Sequence, residues 1–416
     1  MPDSGRSPQP PASVTGVDFR YYRDPEIFET EQRRIFSGPV WCYLGLEVEI
    51  PGAGDFISTH MGMVPVVLTR GKAGALHGWV NRCAHKGATV CRAARGKARD
   101  GSFVCIYHQW AYDSEGNLAG APFQRGIKGK GGYSADFDKS AHGLQKMRVS
   151  AIGGMVFGTL GNDTPPLESF LGEVMCANIR RVMCRPIRVL GYARQMMAGN
   201  WKLYSENSRD SYHGGLLHLF YPTFGIYRPG QESKGETDAH GFHNLFSGFK
   251  AAQTVEYNSY SAEANREMAG DATLQDMRVI QFRPENPDNI TLCIQSLFPS
   301  VVLQQIQNTL ATRQVLPRAV DKTELIWTYF GYADDDAEMI RHRLRNMNLV
   351  GPAGFISMED GEAVELCQNG AAAGHDRQTF IAMGGGAEVA REFGPIGMDE
   401  NGVRGFWTGY FSLMQE

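Results

Sequence analysis

No apolar run in this 416-residue chain reaches the roughly 20 residues that a membrane-spanning helix needs. Charge of one sign is also missing. Forty-one Lys and Arg stand against 45 Asp and Glu, for a net charge of −4, and no polybasic tail occurs. Nucleic acid is thereby left without an electrostatic foothold. Residues 1–14 lack the apolar segment of a secretory signal; they are polar and rich in Pro and Ser, and they read as a flexible tail. Cysteine is sparse. Six of the eight, Cys42, Cys91, Cys176, Cys184, Cys293 and Cys367, are scattered singly. That pattern argues against a disulfide framework and for a reducing, cytoplasmic setting. The length admits two or three domains with a large core.

The other two cysteines are not scattered. Cys83-Ala84-His85 is followed, after nineteen residues, by Cys105-Ile106-Tyr107-His108. Two mixed Cys-His pairs on separate short loops suit a Rieske [2Fe–2S] centre, in which one iron takes both thiolates and the other both imidazoles. Neutral imidazole ligation raises the reduction potential above that of an all-thiolate cluster. A Cys2His2 zinc site uses the same residue types but groups Cys with Cys and His with His. Buried thiols beside unrelated histidines are the plainest alternative. Gly87 allows backbone amides near the cluster sulfurs, Trp110 and Tyr112 are placed to cover it, and Asp113-Ser114-Glu115-Gly116 reads as a hairpin turn.

Asp24-Pro25 opens a predicted helix running to Phe36, stopped by Gly38-Pro39. From Trp41 to about Leu160 short strands predominate, among them Val64–Val67, Leu76–Val80 and Met155–Phe157. Beyond Thr164-Pro165-Pro166, helices are expected at Leu167–Met175, Trp201–His218 and Asp335–Asn348. Strands are expected at Val279–Phe282, Thr291–Ile294, Val301–Val315 and Leu325–Tyr332. The fold class is therefore α+β: a small antiparallel β domain for the cluster and a larger α+β domain on an antiparallel sheet. Residues 1–40 form a tail and helix packing on the larger domain, 41–160 the cluster domain and 161–416 the catalytic domain.

A second metal site is suggested by Asp210, His213 and His218. On one helix, Asp210 and His213 share a face, but His213 and His218 are about 140° apart. They converge only if the helix breaks between them, and Gly214-Gly215 stands at that point. Two histidines and a distant carboxylate leave iron positions open. Two structural histidines on an amphipathic helix are the competing reading.

The chain resembles the large (α) subunits of Rieske non-haem iron aromatic-ring hydroxylating oxygenases over nearly its whole length. The resemblance lies in Cys83, His85, Cys105 and His108, in Asn200-Trp201-Lys202, in Glu206 to His218, in Gly354 to Glu362 and in Val403-Arg404-Gly405-Phe406-Trp407. It implies that His213, His218 and Asp360 bind a mononuclear Fe(II), with Glu359 and Glu362 as rivals for the carboxylate position. It implies that Asp210 bridges the two centres, accepting hydrogen bonds from His213 and from His108 of the partner subunit. It implies O2 as co-substrate, electrons from NAD(P)H through a reductase with or without a ferredoxin, and a homotrimer or an α3β3 assembly with a small β subunit. Dihydroxylation of an aromatic carboxylate is the first expectation. Monooxygenation or oxidative demethylation is a second, and electron carriage by the cluster alone, without oxygenase activity, is a third.

Arg313, isolated in the apolar run Leu303–Val315, is a candidate clamp for a substrate carboxylate, or else the partner of a protein carboxylate. The sequence most resembles the branch acting on terephthalate, anthranilate, salicylate and halobenzoates. Gly397 stands where terephthalate-type relatives carry a second Arg, with Arg391 nearby, which favours a monocarboxylate. Asn207, Ser247 and Leu216 are further pocket candidates. Lys86, Arg92, Arg95, Lys97 and Arg99 form either a solvated basic loop or a docking surface for an acidic electron donor.

Overall fold

Short strands with glycine-rich turns build the first of two units in the computed structural model. That model describes residues 14–415 apart from 225, 228–230, 251–273, 374–376, 387 and 396. The predicted N-terminal tail lies outside these residues but for Val14. The chain divides into residues 36–170 and a unit made of 1–35 with 171–416.

The 36–170 unit holds β1 (Cys42–Leu46), β2 (Asp55–Met61), β3 (Val64–Arg70), β4 (Leu76–Val80), β5 (Arg95–Lys97), β6 (Phe103–Val104), β7 (Ala111–Tyr112), β8 (Leu118–Gly120), β9 (Lys146–Ile152) and β10 (Met155–Thr159). Seven strands form an antiparallel sheet in the order β1-β10-β9-β4-β3-β2-β5, and β6-β7-β8 make a small second sheet. Trp79, Phe103, Trp110 and Tyr112 share a buried cluster with Cys83 and Cys105. The thiols are thus anchored in the core while their loops reach outward.

The larger unit is built on β11 (Ile187–Met197), β12 (Ser233–Thr237), β13 (Asn244–Phe249), β14 (Ile290–Leu297), β15 (Val301–Ile306), β16 (Thr309–Ala319), β17 (Lys322–Tyr332) and β18 (Glu392–Phe393). They form one antiparallel sheet, β11-β17-β16-β15-β14-β13-β12-β18. The expected Val301–Val315 run is two strands, because Gln307, at φ +53°, turns the chain into a hairpin. Val279–Phe282 is not a strand; Met277–Val279 is a 3-10 turn capped by the Asp276 side chain, which accepts from Arg278 N.

The helices follow their caps. Asp24 accepts from Glu26 N and starts Pro25–Glu31, which continues as a π-turn over Gln32–Phe36. Leu167–Met175 is broken by Gly172, at φ +79°, into Leu167–Leu171 and Glu173–Val182. Asp336 accepts from Met339 N and starts Ala337–Val350. The helix expected over Trp201–His218 ends at Asn207 instead, long before the glycine pair. Ser296 of β14 explains the stop: its hydroxyl donates to Ser208 O at 3.0 Å, satisfying a carbonyl that a longer helix would have used.

A buried polar seam joins this helix to both ends of the unit. Lys202 and Glu31 pair with neither side chain exposed. Trp201 Nε1 and Tyr410 Oη donate to Glu31 at 2.7 and 2.6 Å. A buried ion pair is costly unless its remaining valences are met, and these two donors meet those of Glu31.

Candidate metal centres and cavity

The two Cys-His loops are tight turns at the edge of the first unit. Gly87 N donates to Cys83 O and Gln109 N to Cys105 O, each at 2.9 Å. Gly87 and Gln109 both take positive φ, +74° and +58°. The turns bring the imidazoles of His85 and His108 to a centroid separation of 4.5 Å. Trp110 stacks on His85 at 5.0 Å and 8°. Tyr112 Oη lies 3.2 Å from Cys83 Sγ and accepts from Ala84 N at 3.1 Å. Burial, and then the Cys83 sulfur, push this phenol up from its ordinary value. His85 Nδ1 is buried without a hydrogen-bond partner, as a nitrogen that ligates a metal would be.

A single tetrahedral zinc would draw four donors to within about 4 Å of one another. Among the described residues only His213, His218 and Asp360 form a group whose ligand atoms all lie that near, within 4.8 Å. The order of the two mixed pairs, Cys then His on each loop, suits a two-iron cluster and not zinc.

His213 opens a short 3-10 turn, His213–Gly215, outside the preceding helix. The shared helix face expected for Asp210 and His213 is therefore replaced by a turn. Asp210 accepts from Tyr212 N at 2.7 Å and from His213 N at 3.3 Å, and its Oδ2 lies 3.4 Å from His213 Nδ1. Asp360 comes from the helix Phe355–Ala373. Its buried stripe, Ile356, Asp360, Val364 and Gln368, repeats every four residues, which selects Asp360 over its neighbours. Glu362 is exposed. Glu359 turns to His218 Nδ1, at 2.8 Å.

The nitrogens facing inward are His213 Nε2 and His218 Nε2, 3.5 and 3.2 Å from Asp360 Oδ1. Asn207 Nδ2 donates to the same oxygen at 3.0 Å. Burial opposes the charged form of Asp360, but hydrogen bonds from His213 and His218 outweigh it and hold the carboxyl well below its usual range. Burial likewise opposes protonation of His213, yet Asp210 and Asp360 push it up to about 10. A field that holds a proton this firmly also favours a metal cation. Two imidazoles and one carboxylate with outer partners in place fit a mononuclear iron.

The three residues stand in the wall of a cavity that opens to solvent. Its apolar lining includes Phe246, Leu292, Ile294, Ile306 and Ile356, and its polar lining includes Asn207, Asp210, Tyr221, Tyr227 and Arg313. Ser247 and Leu216 do not line it. Ser247 follows the inward-facing Phe246 on β13 and points to the opposite face, opposite Cys293. Arg391 is exposed. Sequence reading missed Tyr221, Tyr227 and the aliphatic wall, because a residue of a short helix, strand or loop carries no local mark of the cavity it faces.

Arg313 is 6% exposed. Its guanidinium donates to Gln304 Oε1 and, at 3.0 Å, to Tyr204 Oη, and it packs 4.7 Å over Trp327. These partners are neutral, and no carboxylate forms an ion pair with it among the described residues.

Comparison with known proteins agrees with this picture. The family described as Ring hydroxylating alpha subunit (catalytic domain) matches residues 182–416, and the Rieske [2Fe-2S] domain matches residues 40–130. The chain is 45% identical to the anthranilate 1,2-dioxygenase large subunit of Burkholderia cepacia, covering 96% of this chain and 93% of that one. It is 43% identical to subunit alpha 2 of the terephthalate 1,2-dioxygenase terminal oxygenase component of Comamonas sp, covering 96% and 95%. Against the large oxygenase component of salicylate 5-hydroxylase from Ralstonia sp the identity is 38%, covering 89% and 88%. The fold is that of naphthalene 1,2-dioxygenase from Rhodococcus sp., with a TM-score of 0.79 at 21% identity over 96% of this chain and 94% of that one.

The chain thus belongs to the ring-hydroxylating oxygenase α subunits. It is a Rieske non-haem iron oxygenase, with a [2Fe–2S] cluster and a mononuclear iron as its cofactors. The catalytic-domain match sets aside a cluster that only carries electrons. No helix among the described residues is long and apolar enough to cross a membrane.

Proposed function

We propose that this chain is the terminal oxygenase component of a multicomponent system that hydroxylates an aromatic monocarboxylate, with the cluster held by Cys83, His85, Cys105 and His108 and the iron by His213, His218 and Asp360. The observation that carries the substrate class is Arg313: a buried cation in the wall of the iron cavity whose partners are neutral. An unneutralised buried charge is costly, and a carboxylate arriving with the substrate would complete it bidentately. Asp360, the carboxylate acting on Arg313, is already held by His213, His218 and Asn207. The second arginine of the lining, Arg209, already donates to the backbone carbonyls of Ser205 and Phe242, at 2.7 and 3.3 Å, which favours one carboxylate over two. The names of the relatives, acting on anthranilate, terephthalate and salicylate, point the same way.

Loaded, the metal set supplies activation of O2, and the cluster supplies electrons singly. The protein's own groups do the rest. Arg313 fixes the ring by its carboxylate. Phe246, Leu292, Ile294 and Ile306 flank the ring and exclude water. Asp210 sets the orientation of His213 and offers a carboxylate to His108 of the partner subunit in a trimer.

Residues 36–170 carry 14 Lys and Arg against 10 Asp and Glu, while the whole chain is acidic. That excess supports docking of an acidic ferredoxin or reductase on the cluster unit. Arg95 and Lys97 are partly spent on Glu49 and Asp55, at 3.0 and 3.8 Å. Lys86 and Arg92, both exposed, carry the reading better. Reduction that is indifferent to salt would remove it.

The function is tested by product analysis with benzoate, aminobenzoates, hydroxybenzoates and neutral aromatics, using a generic reductase and NADH. Oxygenated products from monocarboxylates support the reading, and turnover confined to neutral aromatics contradicts it.

A further inference from the structure

Tyr227 lines the iron cavity and is 7% exposed. Its hydroxyl is buried with no hydrogen-bond partner, a condition that costs stability unless something else satisfies it. Burial alone pushes this phenol up, whereas Tyr204, Tyr221 and Tyr329 also feel the Arg313 charge. The Tyr227 hydroxyl shows no such influence of Arg313.

Its location follows from Gly397. That residue takes φ +71°, and a Cβ on it would collide with Tyr227 Oη and lie 3.6 Å from Ser233 Oγ. The bare Cα makes room for the phenol beside β12, where Ser233 stands. Arg313 belongs to β16. Between β16 and β12 come β15, β14 and β13, four steps of about 4.8 Å. Ile306 of β15, Leu292 and Ile294 of β14 and Phe246 of β13 line the cavity between the two polar groups. The result is a charged end at Arg313, an apolar middle and a neutral hydrogen-bonding end at Tyr227. Tyr221 also has an unpartnered hydroxyl, but its ring packs on His218 at 5.8 Å, close to the metal site.

We infer that Tyr227 is a specificity residue whose hydroxyl hydrogen-bonds an uncharged hydroxyl or amino group on the aromatic acid, at a ring position meta or para to the carboxylate. An ortho group lies beside the carboxylate and hence beside Arg313, out of reach of Tyr227. The inference rests on the reading of Arg313 as the carboxylate site.

The test is anaerobic calorimetric titration of the holoenzyme and of Tyr227→Phe with benzoate and with 2-, 3- and 4-hydroxybenzoate. The wild type binds the 3- or 4-hydroxy acid at least about fivefold more tightly than benzoate, a neutral hydrogen bond's share. Tyr227→Phe erases that preference and leaves benzoate and 2-hydroxybenzoate within about twofold of wild type. Equal affinity of the wild type for all four acids overturns the inference, as does a Tyr227→Phe effect that is uniform or absent. Failure of the wild type to bind any of the four acids, with binding of neutral aromatics retained, instead removes the carboxylate reading of Arg313, and this inference with it.

Discussion

His218 is held from both sides: its Nδ1 lies 2.8 Å from Glu359 Oε2 while its Nε2 faces Asp360 Oδ1 at 3.2 Å. The two carboxylates are consecutive on one helix but have different tasks. Asp360 lies on the buried stripe and meets the inward-facing nitrogens of both histidines, while Glu359 holds the outer nitrogen of His218. Glu359→Gln keeps the shape and weakens the orientation. Iron affinity should fall about tenfold, within the range for such outer partners, with the fold unchanged. The check is competition with a chelator, read as iron per chain. Unchanged affinity would reduce Glu359 to a surface acid.

Asp210 contacts His213 through backbone and side chain together. Asp210→Ala should leave iron and sulfide contents near those of wild type. Single-turnover oxidation of the reduced cluster should nevertheless slow by a hundredfold or more (about 3 kcal/mol in the barrier). Stopped-flow absorbance of the cluster measures it. A normal rate would take Asp210 out of the electron path.

Arg313→Met removes the charge and keeps most of the volume. KM for aromatic carboxylates should rise at least about thirtyfold, since a charge-assisted contact is lost, while neutral aromatics gain or stay level. Steady-state oxygen uptake gives both. Equal losses on charged and neutral substrates would assign Arg313 to structure alone.

Glu206 makes the fold sensitive to pH. Tyr22 Oη and Trp407 Nε1 donate to it at 2.6 and 3.1 Å, which favours the carboxylate. Burial nevertheless wins and raises Glu206 to about 8 from its ordinary value of 4.5. Between those values the folded chain keeps a proton that the unfolded chain releases, so stability falls as pH rises through this window. Glu206→Gln, neutral throughout, should flatten the dependence and unfold at higher urea than wild type at pH 8.5, by on the order of a few kcal/mol. Parallel curves for the two proteins between pH 5 and 8.5 would contradict this.

The cluster loops were legible because their chemistry is local: two residue types, short spacers and turn-forming neighbours. His213 and His218 were legible for the same reason, but not the path between Trp201 and His218. There the helix is stopped by Ser296, ninety residues away, and by the Asp210 turn. Its early end places the two histidines without the break at Gly214-Gly215 that a continuous helix would have required. Arg313 stood out as a charge in an apolar strand. Gln304 and Tyr204, its partners, did not, because cross-strand and helix-to-sheet contacts leave no mark in linear spacing. Ser247, a pocket candidate by sequence, lies beside the cavity-lining Phe246 on the other face of β13, which only the strand's register reveals. The Gly397 and Tyr227 contact joins a loop to a segment 170 residues earlier, which only the folded chain displays.

The central claim is that one chain carries two independent iron stations. It is tested most directly by iron and acid-labile sulfide analysis of the purified wild type beside Asp360→Ala. The account predicts three irons and two sulfides per chain in the wild type. It predicts two irons and two sulfides in Asp360→Ala, with the cluster's visible spectrum intact. A wild type without labile sulfide, or an Asp360→Ala variant that keeps its third iron, would contradict it.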